Sequence, residues 1–218
     1  MSKKAAPKKG STGKSFPVIP AVLVVVVLLA VAAVVMTRGG GDEGADSGLQ
    51  EVQPVSVSGA SLPMHRPNTP DPSVGERAPE IEGSSFDGSA VTIGAGGRPE
   101  LVIFLAHWCP HCQREVPRIA GWIEENGLPQ GVQMYAVATG TSRDRPNYPP
   151  SAWLEREGLD IPTLADDADG QAGRAYGLSS FPYFVLLDGA GAVVERRSGE
   201  ITIDELEQML EPVATPGS

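Results

Sequence analysis

The chain has 218 residues, with 17 basic and 27 acidic side chains and a formal net charge of -10. Five of the basic residues, Lys3, Lys4, Lys8, Lys9 and Lys14, fall in the first 15 positions with no acid among them, which leaves 12 basic residues to set against all 27 acidic ones. A body this acidic excludes a nucleic-acid partner, because phosphate neutralisation needs clustered Lys and Arg.

Residues 1–15 therefore read as a basic cytoplasmic tail. Pro17 to Met36, PVIPAVLVVVVLLAVAAVVM, follows with no charge in it. At ~1.5 Å rise per residue a helix of this length crosses a hydrocarbon core of ~30 Å. Pro17 and Pro20 stand where that helix begins, a position that tolerates proline. The lysines hold the N-terminal end inside and send everything beyond Arg38 out of the cytoplasm. The expectation is a retained single-pass anchor over 16–37. A cleavable signal peptide, for which Ala30 and Ala32 offer small residues, is the alternative, and both export the remainder.

Residues 38–73 are rich in Gly, Pro, Ser and Asp, as expected of a flexible tether. His65 lies in it and is expected to be solvated; an edge strand over Val52 to Val57 is disfavoured by Pro54. From Val74 to Val213 apolar runs alternate with turn residues over about the length of one domain. Val91 to Ile93 and Leu101 to Ala106 read as strands, the second apolar throughout and so central. Cys112 to Asn126 has helical spacing around Pro117, and Val132 to Ala138 is the next strand. A short helix follows Pro149 and Pro150, then an extended IPTLADD, then one or two helical turns ending at Gly177. Tyr183 to Arg197 is two strands about Asp188, Gly189 and Gly191. Thr202 and Glu205 have the spacing of a capping box for a helix over Ile203 to Leu210.

The only cysteines are Cys109 and Cys112, in FLAHWCPHCQREVP. If Cys109 closes the loop after the central strand, it caps the next helix with Pro110 at the first helical position. Its sulfur then faces unpaired backbone N–H groups at the positive helix end, which favours the reactive thiolate. Cys112, three residues on, lies within disulfide reach. His111 is placed to put an N–H or a positive charge near the Cys109 sulfur; His107 is expected to be exposed at the strand end. Three uses compete for the pair: redox exchange, a metal site and a structural staple. A zinc site wants about four ligands, and the histidines available, His65, His107 and His111, are poorly spaced for one. A staple over so small a loop adds little by chain entropy. Redox chemistry is the favoured use. A copper-binding module remains the rival of a different class.

WCPHC at a strand-to-helix junction, with SFPYFVLLD about seventy residues later, resembles the thioredoxin superfamily. That resemblance implies an α/β fold, a central mixed sheet flanked by helices, over 74–213, with 214–218 as a tail. It also implies a cis Phe181-Pro182 bond against the cysteines, where the backbone pairs with a client peptide. Val74 to Ile93 is similar to the N-terminal hairpin of membrane-anchored TlpA/ResA-like thiol-disulfide oxidoreductases, and WCPHCQREVP fits their W-C-x-x-C-x-x-E-x-P pattern. From this resemblance Cys109 attacks, Cys112 resolves, His111 tunes the potential and Glu115 carries a proton, with Trp108, Pro110, Phe181 and Pro182 shaping the client groove. No cofactor is expected beyond the Cys109–Cys112 disulfide. Partners are expected to be protein thiols or disulfides outside the cytoplasm and a membrane redox protein for recycling.

Two departures qualify the pattern. The buried aspartate of cytoplasmic thioredoxins is replaced by Ile103. The Pro110-His111 pair resembles DsbA-type oxidases and tilts the expectation toward disulfide donation, while the TlpA/ResA likeness implies the alternative of a reductase, for example in cytochrome c maturation. The segment from Cys112 to Pro182 is too short for the helical domain of DsbA proteins and fits an inserted helix and strand.

Overall fold

In this computed structural model residues 48–214 are described. The basic tail and the expected anchor over 16–37 lie outside them. Among the described residues no helix is long and apolar enough to cross a membrane.

The strands are β1 (Ser56–Ser58), β2 (Glu80–Ser84), β3 (Ala90–Ile93), β4 (Glu100–Leu105), β5 (Gln133–Ala138), β6 (Thr163–Ala165), β7 (Tyr183–Leu187) and β8 (Val193–Ser198). The helices are α1 (Pro110–Asn126), α2 (Pro150–Arg156), α3 (Gln171–Ala175) and α4 (Ile203–Leu210). Five strands form one sheet in the order β6-β5-β4-β7-β8, and β1-β2-β3 form a separate antiparallel sheet. β4 is parallel to β5 and antiparallel to β7, so it occupies the centre of a mixed sheet. Every residue of β4 is buried. Its pleat sends Leu101, Ile103 and Leu105 into the layer under α1 and α4, and Val102 and Phe104 into the layer holding Ile81, Ile93 and Tyr176. At about 1.5–3 kcal/mol for each large apolar side chain removed from water, this strand is a main source of the fold's stability. The expected inserted helix and strand are α2 and β6.

The segment expected to be a flexible tether is, from Gln50 onward, packed onto the domain. The Gln50 N–H donates to Phe86 O at 2.7 Å, Leu62 N–H to Ala175 O at 2.8 Å and His65 N–H to Gly177 O at 2.9 Å. β1 pairs with β2 over Ser56–Ser58, past Pro54 rather than through it. His65, expected in solvent, is buried, with Nδ1 3.2 Å from Ser198 Oγ and its ring 5.7 Å from that of Tyr183. Gly177 has φ +72, and a β-carbon there would come within 2.2 Å of Pro63 O, so the strap's close approach requires glycine.

The strap is fastened by Arg196 of β8, whose side chain is 0% exposed. It donates to both Asp71 oxygens, at 2.7 and 2.5 Å, and to Pro63 O at 2.9 Å. The guanidinium holds the Asp71 carboxyl at about 2, below its ordinary 3.8. A depressed carboxylate contributes stability that is complete above its unfolded pKa and lost as pH falls through the folded one, here from about pH 4 down through 2. Asp71→Ala leaves the buried guanidinium without its counter-charge, and a loss of about 3 kcal/mol or more is expected by urea denaturation at pH 7. A loss below ~0.5 kcal/mol, the scale of a surface substitution, would show that the strap is held by other contacts.

Candidate active site

β4 ends at Leu105, and Ala106 to Cys109 turn the chain into α1. Cys109 is the residue before the helix, with extended backbone (φ -76, ψ 120) and Pro110 at the first helical position. Its N–H donates to Ala106 O at 2.9 Å, and its carbonyl accepts the Gln113 N–H at 3.0 Å. The thiol lies 3.8 Å from Phe181 O, and the Phe181-Pro182 bond is cis. Both thiols are unbridged. Cys109 keeps 6% of its surface exposed and Cys112 none. Burial pushes the Cys112 thiol far above its ordinary range, with the negative charges of Cys109 and Glu115 acting in the same direction.

Glu115, one turn beyond Cys112, is only 1% exposed. Burial raises its carboxyl above 4.5; the Arg118 guanidinium and the Ile201 N–H oppose that rise, and Glu200 adds to it. It is therefore no solvated helix glutamate. Ile103, at the position of the missing aspartate, is fully buried and apolar.

Two histidines differ from expectation. His107 is 1% exposed. Its Nδ1 lies 2.7 Å from Pro146 O and its Nε2 3.2 Å from the Ser142 N–H, which calls for the Nδ1–H tautomer. With Gln113 Nε2 3.1 Å from its carbonyl, it ties the 139–149 loop to the cysteine turn. His111 is exposed and turned toward Glu200, Nδ1 to Oε1 2.6 Å, and no hydrogen bond among the described residues joins it to the Cys109 sulfur. The same Glu200 carboxylate receives Arg114 and Arg118. Sequence reasoning missed Glu200, which is 89 positions from His111 and follows no motif.

The rim is aromatic. Trp108 is half-buried, donates from Nε1 to Gly140 O at 2.8 Å and meets Phe181 edge to face at 5.7 Å. The Arg145 guanidinium lies 5.1 Å over the Trp108 ring. Pro110 is exposed beside them and Pro182 is buried. Of the expected site residues, the structure gathers Cys109, Cys112, Glu115, Trp108, Pro110, Phe181 and Pro182 at one end of the sheet, with His111 at the edge.

A dithiol at the start of the helix after the central strand, facing the carbonyl of a cis X-Pro pair on a five-stranded mixed sheet, is the arrangement of thioredoxin-fold oxidoreductases. The chain belongs to the Redoxin family, which matches residues 73–210. It is 29% identical over 159 residues to the methylamine utilization protein MauD of Paracoccus denitrificans, covering 72% of this chain and 71% of that protein. The match to two other MauD proteins spans 56% of their length. It is 30% identical over 141 residues to the thiol-disulfide oxidoreductase ResA of Geobacillus thermodenitrificans, covering 64% of this chain and 78% of ResA. Among solved structures, a putative thiol:disulfide interchange protein DsbE from Chlorobium tepidum superposes with a TM-score of 0.54 at 23% identity, over 64% of this chain and 96% of that one, and so shares the fold. The protein is a thiol-disulfide oxidoreductase of this thioredoxin-like group.

Proposed function

We propose that the chain is an extracytoplasmic, membrane-tethered reductant of protein disulfides. The observation that carries the exchange chemistry is the division between the two sulfurs: Cys109 keeps a small exposed fraction beside the Phe181 carbonyl, and Cys112 has none. The Cys109 thiolate attacks a client disulfide, one client sulfur leaves as a thiol, and a mixed disulfide forms. Cys112 then attacks the Cys109 sulfur, the second client sulfur leaves reduced, and the domain keeps the disulfide. Two electrons pass to the client, and a membrane protein that carries electrons outward supplies two more, which with two protons reopen the Cys109–Cys112 disulfide. The Cys109–Cys112 couple is the only redox group this scheme needs. Trp108, Pro110 and Phe181 shape the groove, in which an extended client pairs with the backbone before Pro182.

The uncharged run from Pro17 to Met36, behind five lysines, supports the tether and the orientation. Direction is supported by His111. The CPHC motif favours a donor of disulfides if its imidazolium stabilises the attacking thiolate, but here Glu200 takes that imidazole. Equilibration of the soluble domain with glutathione buffers is expected to give a potential nearer the ~-270 mV of thioredoxin than the ~-120 mV of DsbA. A value at the DsbA end would reverse the direction and make the protein an oxidase. Absence of a reversible couple would remove the redox reading and favour metal handling.

A further inference from the structure

We propose that Glu200 is a positioning residue that sets the redox potential of the Cys109/Cys112 couple by holding the basic side chains His111 and Arg114 of α1 away from the Cys109 sulfur. This rests on the thiol-disulfide exchange described above.

Three side chains on one face of α1, His111, Arg114 and Arg118, converge on this single carboxylate. His111 Nδ1 lies 2.6 Å from Oε1. Arg114 Nε lies 3.2 Å from both oxygens and its Nη2 2.5 Å from Oε1. Arg118 Nη2 is 3.3 Å from Oε2 and also binds the Glu115 carboxylate. Positions 111, 114 and 118 follow helical spacing, so one carboxylate can meet all three. Glu200 is brought there by the loop between β8 and α4, which is itself fixed to the site. Gly199 donates to Pro182 O at 2.8 Å, with φ +92 that glycine alone adopts freely, and the Ile201 N–H faces the Glu115 carboxylate. Cys109 caps this helix, so His111 and Arg114 stand in the first turns beyond it.

The consequence is electrostatic. The disulfide form of the domain carries no charge on sulfur, whereas the reduced form can carry a thiolate, which nearby cations stabilise. A stabilised reduced form makes a stronger oxidant. By pairing with His111 and Arg114, Glu200 aims the imidazole and the guanidinium at itself and offsets the guanidinium charge at the sulfur, and so keeps the reduced form the better electron donor. Without this carboxylate, both side chains are free to turn to Cys109. The CPHC motif then has the surroundings that its sequence alone suggests.

The test is the equilibrium between domain disulfide plus two glutathione thiols and domain dithiol plus glutathione disulfide. One S–S bond breaks in the domain, one forms in glutathione, and two electrons and two protons move to the domain. Glu200→Gln is close to isosteric, and the Glu200 side chain is 26% exposed. It is expected to shift this equilibrium about tenfold toward the dithiol, equivalent to ~30 mV, at low ionic strength where exposed pairs are least screened. Glu200→Asp, which keeps the charge, restores the wild-type value at least in part. Glu211→Gln, which removes a carboxylate beyond the far end of α4, leaves it unchanged. When His111 and Arg114 are both Gln, the further change Glu200→Gln shifts the equilibrium by less than threefold, because the two side chains it would release toward Cys109 are gone.

An unshifted Glu200→Gln, an equal shift from Glu211→Gln, or an undiminished shift in the His111, Arg114 background would overturn the proposal. Failure of Glu200→Gln to fold would assign the carboxylate to stability and overturn it as well. Loss of any reversible couple in the wild-type domain would instead remove the exchange reading on which it stands.

Discussion

Replacing Cys109 by serine is expected to abolish turnover with insulin or another disulfide substrate, by roughly 10^3-fold or more, as loss of a nucleophile does. Cys112→Ser is expected to lose turnover as well but to behave differently in a single encounter. It captures the client and cannot release it. The two sulfurs are three residues apart at one helix start and chemically identical, so only environment separates them. Cys109 sits at the helix entrance with its sulfur 3.8 Å from the Phe181 carbonyl, beside the backbone proposed above to pair with an extended client. Cys112 is 0% exposed and its thiol is held protonated by burial, so no external disulfide reaches it. Non-reducing gels and mass spectrometry of Cys112→Ser with an oxidised client should show a stable one-to-one mixed disulfide through Cys109, absent from Cys109→Ser. Capture by Cys109→Ser through Cys112 would reverse the roles.

What the sequence disclosed and what it hid divide by the range of the physics. β4 was legible because burial on both faces writes an apolar run, and α4 because a capping box spans three residues: the Glu205 N–H lies 3.2 Å from Thr202 Oγ1 and the Thr202 N–H 2.7 Å from Glu205 Oε2. The cysteine turn was legible because Pro110 and the sulfurs are local to one helix start. The strap over residues 50–73 was not. Its composition is that of a solvated linker, and its order comes from Arg196, 125 positions from Asp71, and from carbonyls in the α3 turn. His107 reads as exposed at a strand end and is buried because the 139–149 loop folds back over it. The place of His111 on the helix is local information, but its partner is not: nothing local shows that a carboxylate 89 residues later competes for the imidazole.

Glu115→Gln is expected to slow resolution of the mixed disulfide by about 10^2-fold, the usual worth of a positioned general base. For Cys112 to attack, its proton must leave, and burial makes spontaneous loss of that proton rare. Glu115, one turn along α1, is the buried carboxylate whose charge acts on this thiol. The groups that act on it are Arg118 on its own helix, and the Ile201 N–H and Glu200 from the loop before α4. Burial leads these and raises the carboxyl above 4.5, closer to the proton it must accept. The base form is the active one, so the wild-type resolution rate rises with pH through that raised value, and the variant loses this limb. Stability moves the other way. A carboxyl whose folded pKa is raised contributes stability below its unfolded pKa and loses it as pH rises, so the ionised Glu115 is a cost at pH 7 that glutamine removes. Arg118 is not stranded by the change, because it is 41% exposed and retains Glu200. A Glu115→Gln variant that is slower yet at least as stable at pH 7 therefore separates proton transfer from packing. Stopped-flow fluorescence, with Trp108 beside the reacting sulfur as reporter, measures the first, and thermal melting the second. A resolution rate within threefold of wild type would remove Glu115 from the proton path, and water reaching Cys112 once the client displaces the Phe181 contact would take its place.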